Sequence, residues 1–218
     1  MVTAAKTEST RRVTKPRGKP LKVARPRTGG RSARVVAQVL SATLEVFAEQ
    51  GYAGLSVEAV ALRAGVNKTT VYRRWPAKAD LLGAALFALR DEDPEPPNTG
   101  SLREDLVQVL RHWAAQMDTP RRRAITQSLL LSNTDPDMQA LVRRMRHERP
   151  AIPALIFERA LKRRELPRGS DTGLIAAALL GPLHSRTYWK REHVDEAFIR
   201  ALVNLVVTGA LAGAAQGG

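Results

Sequence analysis

Residues 55–82, LSVEAVALRAGVNKTTVYRRWPAKADLL, constrain the fold more tightly than any other stretch. Val57, Val60, Ala61 and Ala64 recur at the spacing of one helix face, so the segment predicts a short helix with an apolar stripe to bury. Ser56 is placed to cap its N-terminus, and Glu58 in the first turn suits the positive end of the helix dipole. Gly65 supplies the left-handed backbone position that ends it. Asn67 then caps a second helix through Lys68, Thr69, Thr70, Val71, Tyr72, Arg73 and Arg74. A small residue at 61, a glycine at 65 and a β-branched residue at 71 let the two helices cross closely at a large angle. That is the packing of a DNA-binding helix-turn-helix. If the second helix enters a major groove N-terminus first, Thr69 and Thr70 face bases or phosphates and Lys68 reaches guanine edges or the backbone. Arg73 suits either grip or readout, Ser56 either capping or a phosphate contact, and Val71 and Trp75 read as core.

Over about residues 34 to 90 the sequence resembles the tetracycline-repressor (TetR) family of bacterial one-component regulators. The resemblance rests on an amphipathic helix ending in Phe47-Ala48-Glu49-Gln50-Gly51-Tyr52, on Ser56-Val57, on Ala64-Gly65-Val66 and on Thr70-Val71-Tyr72, followed by Trp75, Lys78 and Leu81. Arg73-Arg74-Trp75-Pro76 departs from the pattern, since many relatives carry histidine or tyrosine and phenylalanine there. The resemblance implies that the Tyr72 hydroxyl binds a phosphate. It also implies that Lys78 binds another, together with backbone N–H groups at the start of the next helix. It further implies a C-terminal domain that encloses a small-molecule effector, whose binding respaces two reading heads and releases the operator. The family's last helix pair forms a four-helix bundle with its copy in a homodimer, and repression is its usual mode.

The formal net charge of +14 is unevenly placed. Residues 1–34 hold eleven Lys/Arg and one acid, Glu8, whereas residues 91–218 hold eighteen and sixteen. Lys15, Arg17, Lys19, Lys22, Arg25, Arg27 and Arg31 are separated by Pro, Gly and small residues, with almost nothing to bury, so residues 1–32 are expected to be a disordered basic arm. Two readings of the arm stand side by side: a strand in an adjacent minor groove, with Arg27 and Arg31 nearest the head, or a solvated polycation that steepens salt dependence. Cysteine is absent, which excludes disulfides and thiolate zinc sites. The first thirty residues lack the apolar core of a secretory signal, and the apolar runs near 173–183 and 205–215 are too short to span a bilayer. A cytoplasmic protein without membrane contact is expected.

The pattern downstream is helical throughout, and the expected fold is all-α. It comprises a helix-turn-helix domain at 33–90 and a helical regulatory and dimerisation domain at 91–218. The first helix is expected over Arg34 to Gln50, stopped by Gly51, and the fourth over Ala77 to about Arg90. Asp91 to Pro97 separates the two domains. Ser101-Leu102-Arg103-Glu104 reads as a capping box opening a helix with Leu106, Val109, Leu110, Trp113 and Met117 inward. Helices follow over Pro120 to Leu131 and from Pro136, the latter broken near Pro150 and Pro153. The last two, Asp171 to Tyr188 and Asp195 to Ala214, are apolar almost all round and so call for burial on two sides.

Candidate effector-pocket residues are Trp113, Met117, Leu129, Phe157 and His184, with Met138 and Tyr188 as further members; a scarcity of polar groups points to an apolar or amphipathic ligand. Arg121, Arg122 and Arg123 read as a solvated helix end, with an anionic ligand as the alternative. The four histidines, at 112, 147, 184 and 193, have no metal-ligand spacing, and no phosphate loop or catalytic triad is visible. No cofactor is expected. The function that follows is a sequence-specific transcriptional regulator, a repressor that binds a palindromic operator on double-stranded DNA as a homodimer and is released by a small molecule. The rivals are a sequence-blind DNA-compacting protein using the basic tail and a small helical enzyme.

Overall fold

The computed structural model describes residues 30–148 and 152–216. Among these residues the chain is all-α, with no strand. Helices α1 (Gly30–Gly54), α2 (Val57–Ala64), α3 (Lys68–Tyr72) and α4 (Lys78–Asp91) come first. They are followed by α5 (Leu102–Met117), α6 (Pro120–Leu131), α7 (Pro136–Glu148), α8 (Ile152–Lys162), α9 (Thr172–His184) and α10 (Glu196–Gln216). A 3₁₀ turn, Ser132–Thr134, joins α6 to α7, and a π-helical turn, Ser185–Lys190, follows α9. None of the described helices is long and apolar enough to cross a membrane.

Two apolar cores organise these helices. The first gathers Val39, Phe47, Val60, Val71, Leu81 and Leu86 from α1–α4, and it also takes Ile125 of α6 and Met138 and Leu141 of α7. The second gathers Leu106 and Leu110 of α5, Ile156 and Ala160 of α8, Leu179 and Leu183 of α9, and Ile199 and Val203 of α10. Polar contacts reinforce the first grouping. The Ser128 hydroxyl donates to the Ala48 carbonyl at 3.3 Å, and the Ser132 hydroxyl accepts from the Tyr52 N–H at 3.4 Å. Arg144 pairs with Asp80 at 3.2 Å, joining α7 to α4. At Gly83 a Cβ would stand 2.9 Å from Leu141 Cδ1, so the missing side chain is what lets α7 lie this close.

Several expected boundaries shift for identifiable reasons. α1 begins at Gly30, ahead of the expected Arg34, because no breaker separates them. Gly51 kinks the chain (φ 66°, ψ −172°), yet one further turn runs to Gly54. α3 ends at Tyr72, with Arg73 and Arg74 in the turn beyond it. Pro153 falls in the first turn of α8, where its missing N–H is not needed; Pro150 lies outside the described residues. α9 stops at His184 and loosens into the π-helical turn just past Pro182, which cannot donate to the helix.

The capping box is only half formed. Ser101 Oγ accepts from the Glu104 N–H at 3.5 Å, but the Ser101 N–H donates to Thr99 Oγ1 at 3.2 Å and the Glu104 carboxylate turns to Arg200. A tertiary network closes the N-terminus of α5 instead. Fully buried Asp105 accepts 2.7 Å bonds from both the N–H and the hydroxyl of Thr99, and it pairs with Arg163 at 3.4 Å. Arg163 also holds Glu165, whose carboxylate accepts from the Leu102 N–H at 2.5 Å.

Candidate nucleic-acid interface

The α2–α3 corner is assembled by short-range bonds. Ser56 Oγ accepts from the Ala59 N–H at 3.1 Å, which holds the entry to α2. Gly65 sits in the left-handed region (φ 64°, ψ 33°), where an L side chain would be strained, and the Val66 N–H returns to the Ala61 carbonyl at 3.0 Å. Asn67 Oδ1 accepts from both the N–H and the hydroxyl of Thr69, at 3.0 and 2.9 Å. Val71 points inward and is fully buried, so the opposite side of this five-residue helix is turned out: Lys68, Thr69, Tyr72 and Arg73 are exposed and Thr70 is half-buried. Arg63 clamps α2 to α1 through a two-pronged contact with Glu49, at 2.9 and 2.6 Å.

Tyr72 and Lys78 have partners that the local pattern does not reveal. The Tyr72 hydroxyl donates to Glu58 at 3.1 Å, and this bond to a carboxylate holds its pKa above the usual phenol value. Glu58 is exposed on α2, so an acid stands on the outward surface and occupies the hydroxyl. Lys78 opens α4, where Ala77 provides no side-chain cap and the first backbone N–H groups are left for an outside acceptor. Its ammonium donates to the Tyr52 carbonyl at 3.1 Å and lies 4.2 Å from the Tyr52 ring centroid.

Beside the end of α3, a cleft of about 500 Å³ is lined by Ser32, Val35 and Val36 of α1 together with Thr70, Arg73, Arg74 and Trp75. The start of α1 and the end of α3 therefore face one another. Arg31 falls in the first turn of α1, and Arg27 and the arm ahead of it lie outside the described residues.

Residues 39–85 match the family described as bacterial regulatory proteins, tetR family. Residues 96–206, about half of the chain, match the tetracyclin repressor-like C-terminal domain. The chain belongs to the TetR family. It is a DNA-binding transcriptional regulator, and its relatives are regulators rather than enzymes. An uncharacterised HTH-type transcriptional regulator of Mycobacterium bovis is 31% identical over 178 residues, covering 80% of this chain and 86% of the relative. The DNA-binding transcriptional repressor TetR of Mycobacteroides abscessus is 37% identical over 120 residues, covering 55% and 56%. Among solved structures, the TetR family transcription regulator SCO0332 is 32% identical, with a TM-score of 0.60 over 81% of this chain and 98% of that one.

In this TetR-family chain the expected effector residues are not gathered in one place. The Trp113 and His184 rings meet at a tilt of 54° with centroids 5.6 Å apart, and Tyr188 continues the row 6.0 Å from His184. The Tyr188 hydroxyl reaches Met117 Sδ at 3.3 Å, which brings Met117 into the same group. Burial holds the His184 imidazole below its ordinary pKa. Leu129 packs instead against the first core, and Phe157 is buried inside the second. Of the three arginines of α6, Arg121 and Arg123 are exposed, as a solvated helix end requires, and Arg122 is half-buried, while each also finds a partner on a neighbouring element. Arg121 donates to Ser41 of α1 at 3.2 Å, and Arg123 donates to the Met117 carbonyl at 2.8 Å. Arg122 donates to the Leu89 carbonyl at 3.1 Å and pairs with Asp93 at 3.2 Å, capping the end of α4.

Proposed function

We propose that this regulator is a repressor that binds a palindromic operator as a homodimer and leaves it when a small molecule binds. The uncovered face of α9 and α10 carries this reading. Leu174 and Leu205 are 66% and 73% exposed, and Ala177, Gly181, Ala201 and Gly209 lie exposed on the same two helices. Small residues there permit close helix approach, and a second copy is the partner that buries such a face isologously. Two-fold pairing then sets two α3 helices one turn of DNA apart. Repression takes support from the M. abscessus relative, which is a DNA-binding transcriptional repressor.

On this reading residues 33–90 form the reading domain and residues 91–218 the regulatory one. Lys68, Thr69 and Thr70 meet bases and nearby phosphates, and Arg73 grips the groove edge. Ser56 and Lys78 bind phosphates, and so does Tyr72 once its hydroxyl leaves Glu58. Arg27 from the arm and Arg31 from the first turn of α1 add contacts to the DNA backbone. Trp113, Met117, His184 and Tyr188 line the effector site, while Leu129 and Phe157 act as core. The ligand must prefer the conformation that does not fit DNA, and that difference in affinity limits how far it shifts the equilibrium. Selection of duplexes from a random pool by the full chain tests the reading, with a palindromic consensus as the expected result. Salt-sensitive binding without a consensus, or a clean 23.9 kDa species by sedimentation at micromolar concentration, would overturn it.

A further inference from the structure

The cleft between the start of α1 and the end of α3, at about 500 Å³, has the volume of a small-molecule site. Its floor is apolar: Val39 is 1% exposed, and half-buried Val35, Val36 and Trp75 complete it. Its rim is different in kind. Arg73 and Arg74 stand exposed there, with the hydroxyls of Ser32 and Thr70. The Arg74 guanidinium lies 5.8 Å from the Trp75 ring centroid, which keeps a positive charge at the edge of the floor. Arg63, Arg111 and Arg144 all pair with carboxylates, but among the described residues neither Arg73 nor Arg74 does. We propose that this cleft binds a small amphipathic carboxylate, an alkyl or aryl acid, with its apolar body on the valines and Trp75 and its carboxylate at the two arginines.

Floor and rim together select this class of ligand. A bare phosphate would pair with the arginines but leave the valine floor without an apolar partner, and a neutral hydrocarbon would cover the floor and gain nothing from the guanidiniums. The chain's own arm does not fit either, because residues 1–34 carry eleven Lys/Arg against one acid and would bring like charge to Arg73 and Arg74. On the reading that α3 meets DNA, the ligand takes Thr70 and Arg73 out of the interface. The head would then carry an inhibitory site of its own, separate from the aromatic row of Trp113, His184 and Tyr188. Binding itself needs no DNA, so this site and the operator reading fail separately.

The probe is decanoate carrying a diazirine near the end of its chain, photolysed with the full-length protein in the absence of DNA, below the micelle-forming concentration, and mapped by mass spectrometry. Labels are expected on Val35, Val36, Val39 or Trp75, and excess plain decanoate should displace them. Val36→Phe fills the floor and should remove this labelling. Arg74→Gln keeps the floor and should raise the probe concentration for half-maximal labelling about fivefold, the upper end for one exposed ion pair. Circular dichroism checks that both variants keep their helices, and the exposed Arg74→Gln change carries the test should Val36→Phe unfold the head. The matching diazirine alcohol, without the carboxylate, should label the head more weakly than the acid. Labels confined to α5–α9, head labels that plain decanoate does not displace, or an unchanged half-maximal concentration in Arg74→Gln would each overturn the proposal. So would equal labelling by the alcohol, since the cleft would then select only for apolar surface.

Discussion

Leu81 and Leu183 are both fully buried, but the cores around them are built differently. The core around Leu81 is closed on its own account: α1–α4 wrap it, α6 and α7 seal its inner side, and the outer side of α3 is polar. The core around Leu183 is open, because α9 and α10 bury one side of each helix and leave leucines, alanines and glycines on the other. The closed unit suits a reading head that must keep its shape on DNA, and the open one suits assembly. The comparison also shows that the packing boundary does not follow the chain. α6 and α7 come after the segment at 91–100, yet they pack with the head, through Ser128, Ser132, Arg122 and Arg144. Any rearrangement that moves α6 or α7 is therefore transmitted to α1 and α4 by direct contact.

The largest effect expected from breaking this arrangement lies in the open core. Asp105→Ala removes a fully buried carboxylate, takes the acceptor from both the N–H and the hydroxyl of Thr99, and leaves Arg163 with Glu165 and Asn98. The expected loss is about 3 kcal/mol, two hydrogen bonds from Thr99 to a charged group at about 1.5 kcal/mol each, read by chemical denaturation. A loss well under 1 kcal/mol would show that water replaces the carboxylate at little cost. Next comes the junction between head and regulatory half. Gly83→Val drives a side chain into Leu141 and should cost about 1–3 kcal/mol by overpacking. Leu141→Ala in the same chain should recover part of that loss. Simple additivity of the two changes would mean that α4 and α7 are not in the contact described.

How much of this was legible in the sequence depended on distance along the chain. The α2–α3 corner could be read because each signal sits within a few residues of its target: Ser56 on Ala59, Gly65 at the helix end, Asn67 on Thr69. Tyr72 with Glu58 is a pair 14 residues apart, Lys78 with Tyr52 26, and Asp105 with Arg163 58, and no local pattern encodes such meetings. Asp105 was the hardest to foresee, since an aspartate in the first turn of an amphipathic helix ordinarily reads as a solvated, dipole-friendly group. The effector residues show the same limit. Apolar spacing shows that Leu129 and Phe157 are inward, but not that they turn into different cores.

On the side of the closed unit proposed to face DNA, effects should be moderate and separable by kind. Lys78→Ala should flatten the slope of log K against log salt by about 0.9 and weaken all sequences equally, as loss of one phosphate contact does. Lys68→Ala and Thr69→Ala should instead change which bases are preferred. Glu58→Gln weakens the hold on the Tyr72 hydroxyl and removes an exposed negative charge, so affinity should rise. Unaltered binding in all four variants would remove α3 and the start of α4 from the interface while leaving both cores intact.

The smallest effect concerns His184, which stands in the open core's half-buried aromatic row between Trp113 and Tyr188. Burial disfavours the imidazolium, so the folded pKa lies below the ordinary histidine value of 6.5 and the unfolded chain takes up a proton more readily. Stability from this group is therefore complete above pH 6.5 and is lost as the pH falls from there towards the folded pKa. His184→Phe keeps an aromatic ring in the row and removes the titration. The drop in melting temperature between about pH 8 and about pH 5 should then be smaller than in the parent chain. A drop of the same size in both proteins would place the acid sensitivity in the carboxylate pairs instead. A larger drop in the variant would mean that the protonated imidazole finds a favourable partner in the folded row, against the desolvation assigned to it.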